Sequence, residues 1–258
     1  MSWLVFAVES SGQPREWLGY LIMLLAAGAL AALSVKRVIS SVARKYVMAV
    51  TGLFWCLFLV GHLGGNLLMY VGAEAYNAYA HTLHGQEWLV KSSEFGLLYL
   101  LLLHIALALG LSKDNAAARG AVSYREAHTK RGDRLAHAVV KPDYWMLVTG
   151  LAVLAFLVLH WFDFVLHLRT DIEYEGREPF DVARSILASG PTIVGYTVGV
   201  ILLGFHIGHG FQSAFQSLGI NHPRFNRGIR RFGIGFAWVI TLGFLSFPWV
   251  VGLAMRSN

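Results

Sequence analysis

Charged side chains are scarce in this sequence. Asp, Glu, Lys and Arg make up 14% of its 258 residues, against 56% hydrophobic residues. An average soluble domain carries about a quarter charged residues. The shortfall is concentrated in long apolar runs, the pattern of membrane-spanning helices rather than of a water-soluble core. Cysteine is nearly absent, Cys56 being the only one. A disulfide framework, a thiolate zinc site and a cysteine-ligated iron–sulfur cluster held by this chain alone are therefore excluded. The sequence has no CxxCH motif, so any haem must be held non-covalently. It also lacks Pro/Gly/Ser-rich linkers and low-complexity tracts, and reads as a single domain over 1–258. The apolar runs hold almost no carboxylates, with Glu94 and Asp163 near their ends, and no internal repeat is evident; both argue against a transporter or channel.

What the sequence has instead is six apolar runs, at roughly 17–35, 46–70, 95–112, 144–167, 193–217 and 233–254. At 1.5 Å per residue about 20 residues cross a hydrocarbon layer of ~30 Å, and each run is near or beyond that length. The run 17–35 lacks the basic leading segment of a secretory signal, since Glu9 and Arg15 precede it. It reads as a retained helix, with an uncleaved interfacial helix as the competing reading. The expected fold is an all-α transmembrane helix bundle of five core helices plus this extra N-terminal helix. Pro191 lies just ahead of the run at 193, where a missing N–H costs little.

Loop charge sets the expected orientation. Loops 36–45, 113–143 and 218–232 hold 15 of the 21 Lys and Arg residues. Loops 71–93 and 168–192 hold only four, Lys91, Arg169, Arg177 and Arg184, beside several carboxylates. By the positive-inside rule the first set faces the cytoplasm, so the net charge of +6 reads as a topology signal rather than a nucleic-acid footprint. Trp17, Tyr70, Trp161 and Trp249 then fall near the outer interface, and Tyr46, Tyr144 and Trp145 near the inner one.

Eleven histidines are many for so apolar a chain. His62, His104, His160 and His206 lie well inside four different runs, where an imidazole is costly and marks function by default. Counting along each helix places His62 and His160 at ~25 Å and ~24 Å from the inner face, and His104 and His206 at ~15–20 Å from the outer face. Two pairs follow, His62 with His160 nearer the outside and His104 with His206 nearer the inside. Pairs of inward-pointing histidines on facing helices hold b-type haem, so two bis-His haems are expected. A flat porphyrin needs backbone to retreat from it; Gly61, Gly64 and Gly65 beside His62, and Gly204, Gly208 and Gly210 beside His206, are candidates, with ordinary helix packing as the competing reading. His209 shares the face of His206 and is the alternative inner ligand. His167 lies on the face of His160 near the outer interface. His81, His84, His128, His137 and His222 fall in loops, where water solvates an imidazole and no special function is needed.

Three stretches, "SSVARKYVMAVTGLFWCLFLVGHLGGNLLMYVG…NAYAHTLH", "EFGLLYLLLLHIALALGL…NAAARG" and "LGFHIGHGFQSAFQSLGI", resemble the diheme cytochrome b membrane anchor of succinate dehydrogenase/fumarate reductase, complex II, in its single-subunit form. The resemblance spans roughly 38–254. It implies haem iron ligation at His62, His104, His160 and His206, in agreement with the depth pairing. It further implies a flavoprotein subunit carrying FAD, an iron–sulfur subunit docked on the cytoplasmic side, and a membrane quinone, often menaquinone, as substrate. A bacterial cytoplasmic membrane location follows, with a higher oligomer of the complex possible. The family core has five helices, so the run 17–35 is a departure from it.

A quinone site needs an apolar slot, donors for two carbonyl oxygens and a source of protons. Ser41, Arg44 and Lys45 are candidates at the inner side, where topogenic charge is the competing reading; Arg44 and Lys45 also suit the propionates of an inner haem. Asn66, Tyr79, His84 and Asp163 are candidates at the outer side, each also explicable as an interface or capping residue. Rival functions are the diheme anchor of a formate, nitrate or hydrogen enzyme, and a haem-free structural anchor.

Overall fold

In the computed structural model, which describes residues 16–37, 40–119 and 142–252, every regular element is a helix and no strand occurs among the described residues. Six helices are long and apolar enough to cross a membrane. These are α1 (Glu16–Arg37), α2 (Ser41–Val71), α4 (Glu87–Arg119), α5 (Pro142–Phe164), α7 (Gly190–Ser217) and α8 (Pro223–Ser246). Two shorter helices, α3 (Ala73–His84) and α6 (Pro179–Ala188), link α2 to α4 and α5 to α7. The chain is an all-α bundle of transmembrane type.

Local chemistry sets the helix boundaries. The Ser40 side chain accepts from the Ala43 N–H at 3.0 Å and starts α2, satisfying one of the free donors of a first turn. Gly72, at φ 138°, turns the chain from α2 into α3, a backbone region that side chains disfavour. Pro179, Pro191 and Pro223 each lie at the start of their helices, where no N–H is missed. The His222 ring accepts from the Arg224 N–H at 3.2 Å and caps α8. At its far end α8 widens into a π-helical turn, Phe247–Val251, which accommodates Pro248, a residue without an N–H to donate.

The observed helices outrun the apolar windows at several ends. α4 begins at Glu87 rather than 95 and α8 at Pro223 rather than 233, because polar and basic turns continue the helices beyond the apolar stretch. α5 stops at Phe164 rather than 167; His167 adopts φ 51°, ends the helical path and stacks on Tyr174 with ring centroids 4.3 Å apart. The short helices α3 and α6 are absent from the hydropathy reading, since neither can span. They lie against each other at the end of the bundle that the loop charges predict to face outward: Asn77 Oδ1 accepts from Phe180 N at 2.8 Å, His81 and Glu178 pair at 2.8 Å, and Tyr76 meets Phe180 edge-on. α6 buries Phe180, Ala183, Ile186 and Leu187.

The N-terminal helix lies alongside α4. Ala27 and Ala31 are buried, and Ala31 packs with Leu103 and Leu107. Small residues allow this close approach without a hydrophobic drive from lipid. Polar contacts fix the register: Lys91 Nζ donates to Tyr20 Oη at 3.1 Å, and Ser34 Oγ lies 3.0 Å from Tyr99 Oη. Tyr20 also meets Trp161 of α5 edge-on at 5.8 Å. These contacts run along the bundle, which an interfacial helix would not do.

Candidate functional site

Between α2, α4, α5 and α7 lies an elongated cavity of about 1190 Å³ whose lining includes His62, His104, His160 and His206. Four helices thus bring the four intramembrane imidazoles to one space. His209 does not line it; its ring is exposed and Nδ1 lies 3.0 Å from Phe205 O. The geometry therefore favours His206 over its neighbour.

The outer pair is in contact. His62 and His160 have ring centroids 5.8 Å apart at 84°. A metal–imidazole nitrogen bond is about 2 Å long, so a metal held between two rings separates their centroids by roughly 6 Å. The observed spacing fits. His62 is stacked on Phe58 at 5.4 Å and tilted against Phe244 at 5.6 Å.

The other three imidazoles are oriented by hydroxyls whose own protons are already committed. Thr51 Oγ1 donates to Met48 O at 3.0 Å, so at 2.9 Å it can only accept from His104 Nδ1. Thr149 Oγ1 donates to Trp145 O at 2.7 Å, so at 3.2 Å it accepts from His206 Nδ1. Tyr196 Oη donates to Asp163 Oδ2 at 2.9 Å, so at 3.3 Å it accepts from His160 Nδ1. A hydroxyl has one proton to give. With each hydroxyl proton given to that oxygen, the tautomer that carries its proton on Nδ1 satisfies every group and leaves the Nε2 lone pair free, the arrangement by which an outer partner orients a metal-ligating histidine.

The geometry also brings out an internal repeat, contrary to the expectation that none is present. Residues 46–62, YVMAVTGLFWCLFLVGH, and 144–160, YWMLVTGLAVLAFLVLH, share ten of seventeen positions. The matched residues do matched work. Thr51 and Thr149 receive the inner imidazoles. Gly52 and Gly150 lie beneath them: a Cβ added there would sit 3.4 Å from His104 Cε1 and 3.3 Å from His206 Cε1. Phe58 and Phe156 lie against His62 and His160. The spacing Thr-Gly-x9-His, repeated, was the available signal.

Of the six glycines near histidine, Gly210 lines the cavity, and two are taken up by packing elsewhere. Gly65 makes room for the Tyr79 ring, and Gly204 for Thr241. Gly208 and Gly210 sit at ordinary contact distance from Ala237 and Met146, and Gly61 and Gly64 have no neighbour that a Cβ would meet within 4 Å. Helix packing accounts for the crowded ones.

The quinone candidates are dispersed. Ser41 is exposed and off the cavity. Arg44 pairs with Asp114 at 3.0 Å, while Lys45 lines the cavity's basic end with Ser112, Asn115, Ser213 and Ser217. At the outer end Asn66 donates to His62 O at 2.7 Å and Tyr79 packs over Gly65. His84 lies in the last turn of α3. Asp163 is 2% exposed and enters the His160 network instead of capping a helix end. Of the loop histidines, His128 and His137 lie outside the described residues.

Arg169 is the basic group that orders the outer end. It donates to Asp171, Ser189 and Thr192, fastening the loop after α5 to the start of α7. The Asp171 hydrogen bond raises its pKa above the ordinary value against an opposing effect of burial, with the Asp163 charge contributing. In return the Arg169 hydrogen bond holds the Asp171 carboxyl below the usual carboxylate range.

Haem fits this donor set. His62 and His160 are in ring contact, His104 and His206 line the same cavity, and no group of three or more His, Cys, Asp or Glu suited to a bare metal ion occurs among the described residues. Two buried donors, Trp55 Nε1 and Arg44 Nε, have no hydrogen-bond partner among the described residues; Trp55 lines the cavity. An unpaired buried donor costs about 1–3 kcal/mol, which a polar group on a bound molecule would relieve. No family profile, curated protein or solved structure matches this chain.

Proposed function

We propose that this protein is a diheme cytochrome b, the membrane anchor of a succinate:quinone oxidoreductase. In this reading His62 and His160 hold an outer haem b and His104 and His206 an inner one. The observation that carries it is that four imidazoles from four helices line one apolar cavity, three of them with Nδ1 at hydrogen-bond distance from a hydroxyl. Bound haem supplies reversible one-electron transfer at iron.

The chain's own residues do the rest. Thr51, Thr149 and Tyr196 hold the imidazoles in one tautomer. Phe58, Phe156 and Phe244 exclude water around the outer pair, which keeps the local dielectric low. Lys45 and the serines near it face the basic end of the cavity, where the positive-inside rule places the cytoplasm and an iron–sulfur partner would dock. The ordered motifs of α2, α4 and α7 resemble those of the complex II anchor, and they favour this partner set over formate, nitrate or hydrogen enzymes. The location that follows is a bacterial cytoplasmic membrane, with FAD and iron–sulfur clusters in separate subunits and quinone, of the menaquinone type, as substrate.

An optical spectrum of the purified protein tests the haem assignment: a reduced b-type spectrum with two haems per chain is expected. A preparation that stays colourless when haem is supplied during assembly would overturn it. Succinate-dependent quinone reduction by the intact complex, with a flavoprotein co-purifying, tests the partner assignment; haem without succinate activity or flavin would transfer the chain to another respiratory enzyme.

A further inference from the structure

Asp163 is the one carboxylate among the buried polar side chains of the described residues, at 2% exposure. A buried carboxylate near lipid is costly unless it is paired and has work to do. It sits one turn beyond His160 on α5, yet the two are linked through Tyr196 of α7, whose hydroxyl donates to Asp163 and accepts from His160. The Asp163 backbone is tied down as well, since Tyr174 Oη donates to its carbonyl at 3.1 Å. The repeat makes the arrangement conspicuous. In register with His62 and His160, Asp163 corresponds to Gly65; in register with His104 and His206, Tyr196 corresponds to Glu94. The halves agree at the inner threonines and differ where this chain of hydrogen bonds stands.

Resting on the haem-binding reading above, we propose that Asp163 and Tyr196 are positioning residues for His160, fixing its Nδ1–H tautomer and strengthening Nε2 as a donor to haem iron. A hydrogen bond to an ionised acceptor is roughly twice as strong as a neutral one, and linked hydrogen bonds polarise each other. Electron density pushed toward Nε2 raises ligand basicity and favours the oxidised iron. The inner imidazoles lack this, because the protons of Thr51 and Thr149 end on backbone carbonyls.

The test is a spectroelectrochemical titration of the full complex, with the outer transition identified as the one abolished by His62→Ala. Asp163→Asn and Tyr196→Phe should each raise the midpoint of that transition by tenfold or more in the reduction equilibrium, about 59 mV for one electron. The inner transition should stay in place, the ferric electron paramagnetic resonance signal of the outer haem should shift, and Asp163→Glu should restore most of the difference. If Asp163→Asn fails to assemble, Tyr196→Phe decides, since it keeps the ring packing. Two bound haems with an unmoved outer transition in Tyr196→Phe would overturn this proposal and leave the haem reading standing. Absence of any haem in the unaltered protein would overturn both.

Discussion

At the inner level of the cavity, His104 and His206 each hand a proton to a threonine whose own proton goes to a backbone carbonyl. At the outer level His160 hands its proton to a tyrosine backed by a carboxylate, and His62 is clasped by Phe58 and Phe244. The inner level is built from what a repeated helix supplies locally, a threonine bonded to the carbonyl three or four residues earlier, and is neutral. The outer level draws on residues far apart in the chain and includes a buried carboxyl group. One repeated helix motif thus presents two similar Thr-Gly-His sets in different surroundings.

The strongest way to break this comparison is to remove ligands. His62→Ala or His160→Ala should halve the haem-to-protein ratio by loss of the outer haem, and His104→Ala or His206→Ala by loss of the inner one, as read from the spectrum of the remaining haem. His209→Ala should leave both; loss of the inner haem in that variant would reassign the ligand. A smaller effect is expected from the threonines. Thr51→Val and Thr149→Val leave an imidazole N–H without its partner, at about 1–3 kcal/mol, and should weaken inner haem retention by roughly 10–100-fold while sparing the outer haem. Competition with a haem-binding apoprotein would measure it.

Smaller still is the effect expected of added methyl groups. Gly150→Ala brings a Cβ to 3.3 Å from His206 Cε1, so the ring must give by a few tenths of an ångström. A modest shift in the inner haem spectrum, with full occupancy, is the expected result, and the matched Gly52→Ala should act on His104 in the same way. The least effect belongs to the outer loop. Arg169 depresses the folded-state pKa of Asp171. That contribution to stability is therefore present above the unfolded value of about 4 and is lost as pH falls through the folded value. Because the Asp171 side chain is largely exposed, solvent screening keeps the contribution small. Asp171→Asn should make thermal unfolding slightly less sensitive to acid below about pH 4, and equal slopes for both proteins would remove the pair from the account.

Much of the fold was legible because lipid imposes a one-dimensional constraint: a helix must be apolar for long enough to cross, and six stretches were. That four imidazoles lie deep within the bundle was legible for the same reason, since counting residues along a helix measures depth. The short helices α3 and α6 left no such trace, because they lie at the end of the bundle and need no long apolar run. The repeat was present in the letters, but its meaning is geometric: Thr51 and Gly52 matter through His104, which is on another helix.

The sequence by itself determined that the chain is helical, crosses a membrane and buries histidine at two depths, because hydropathy and helical rise act along a single segment. Only the tertiary structure decided which hydroxyl lies beside each Nδ1, that His206 rather than His209 faces the cavity, and that Asp163 reaches His160 through Tyr196. Those outcomes depend on the rotation of helices about their axes and on contacts between residues distant in the chain, and the order of residues along one helix does not set either.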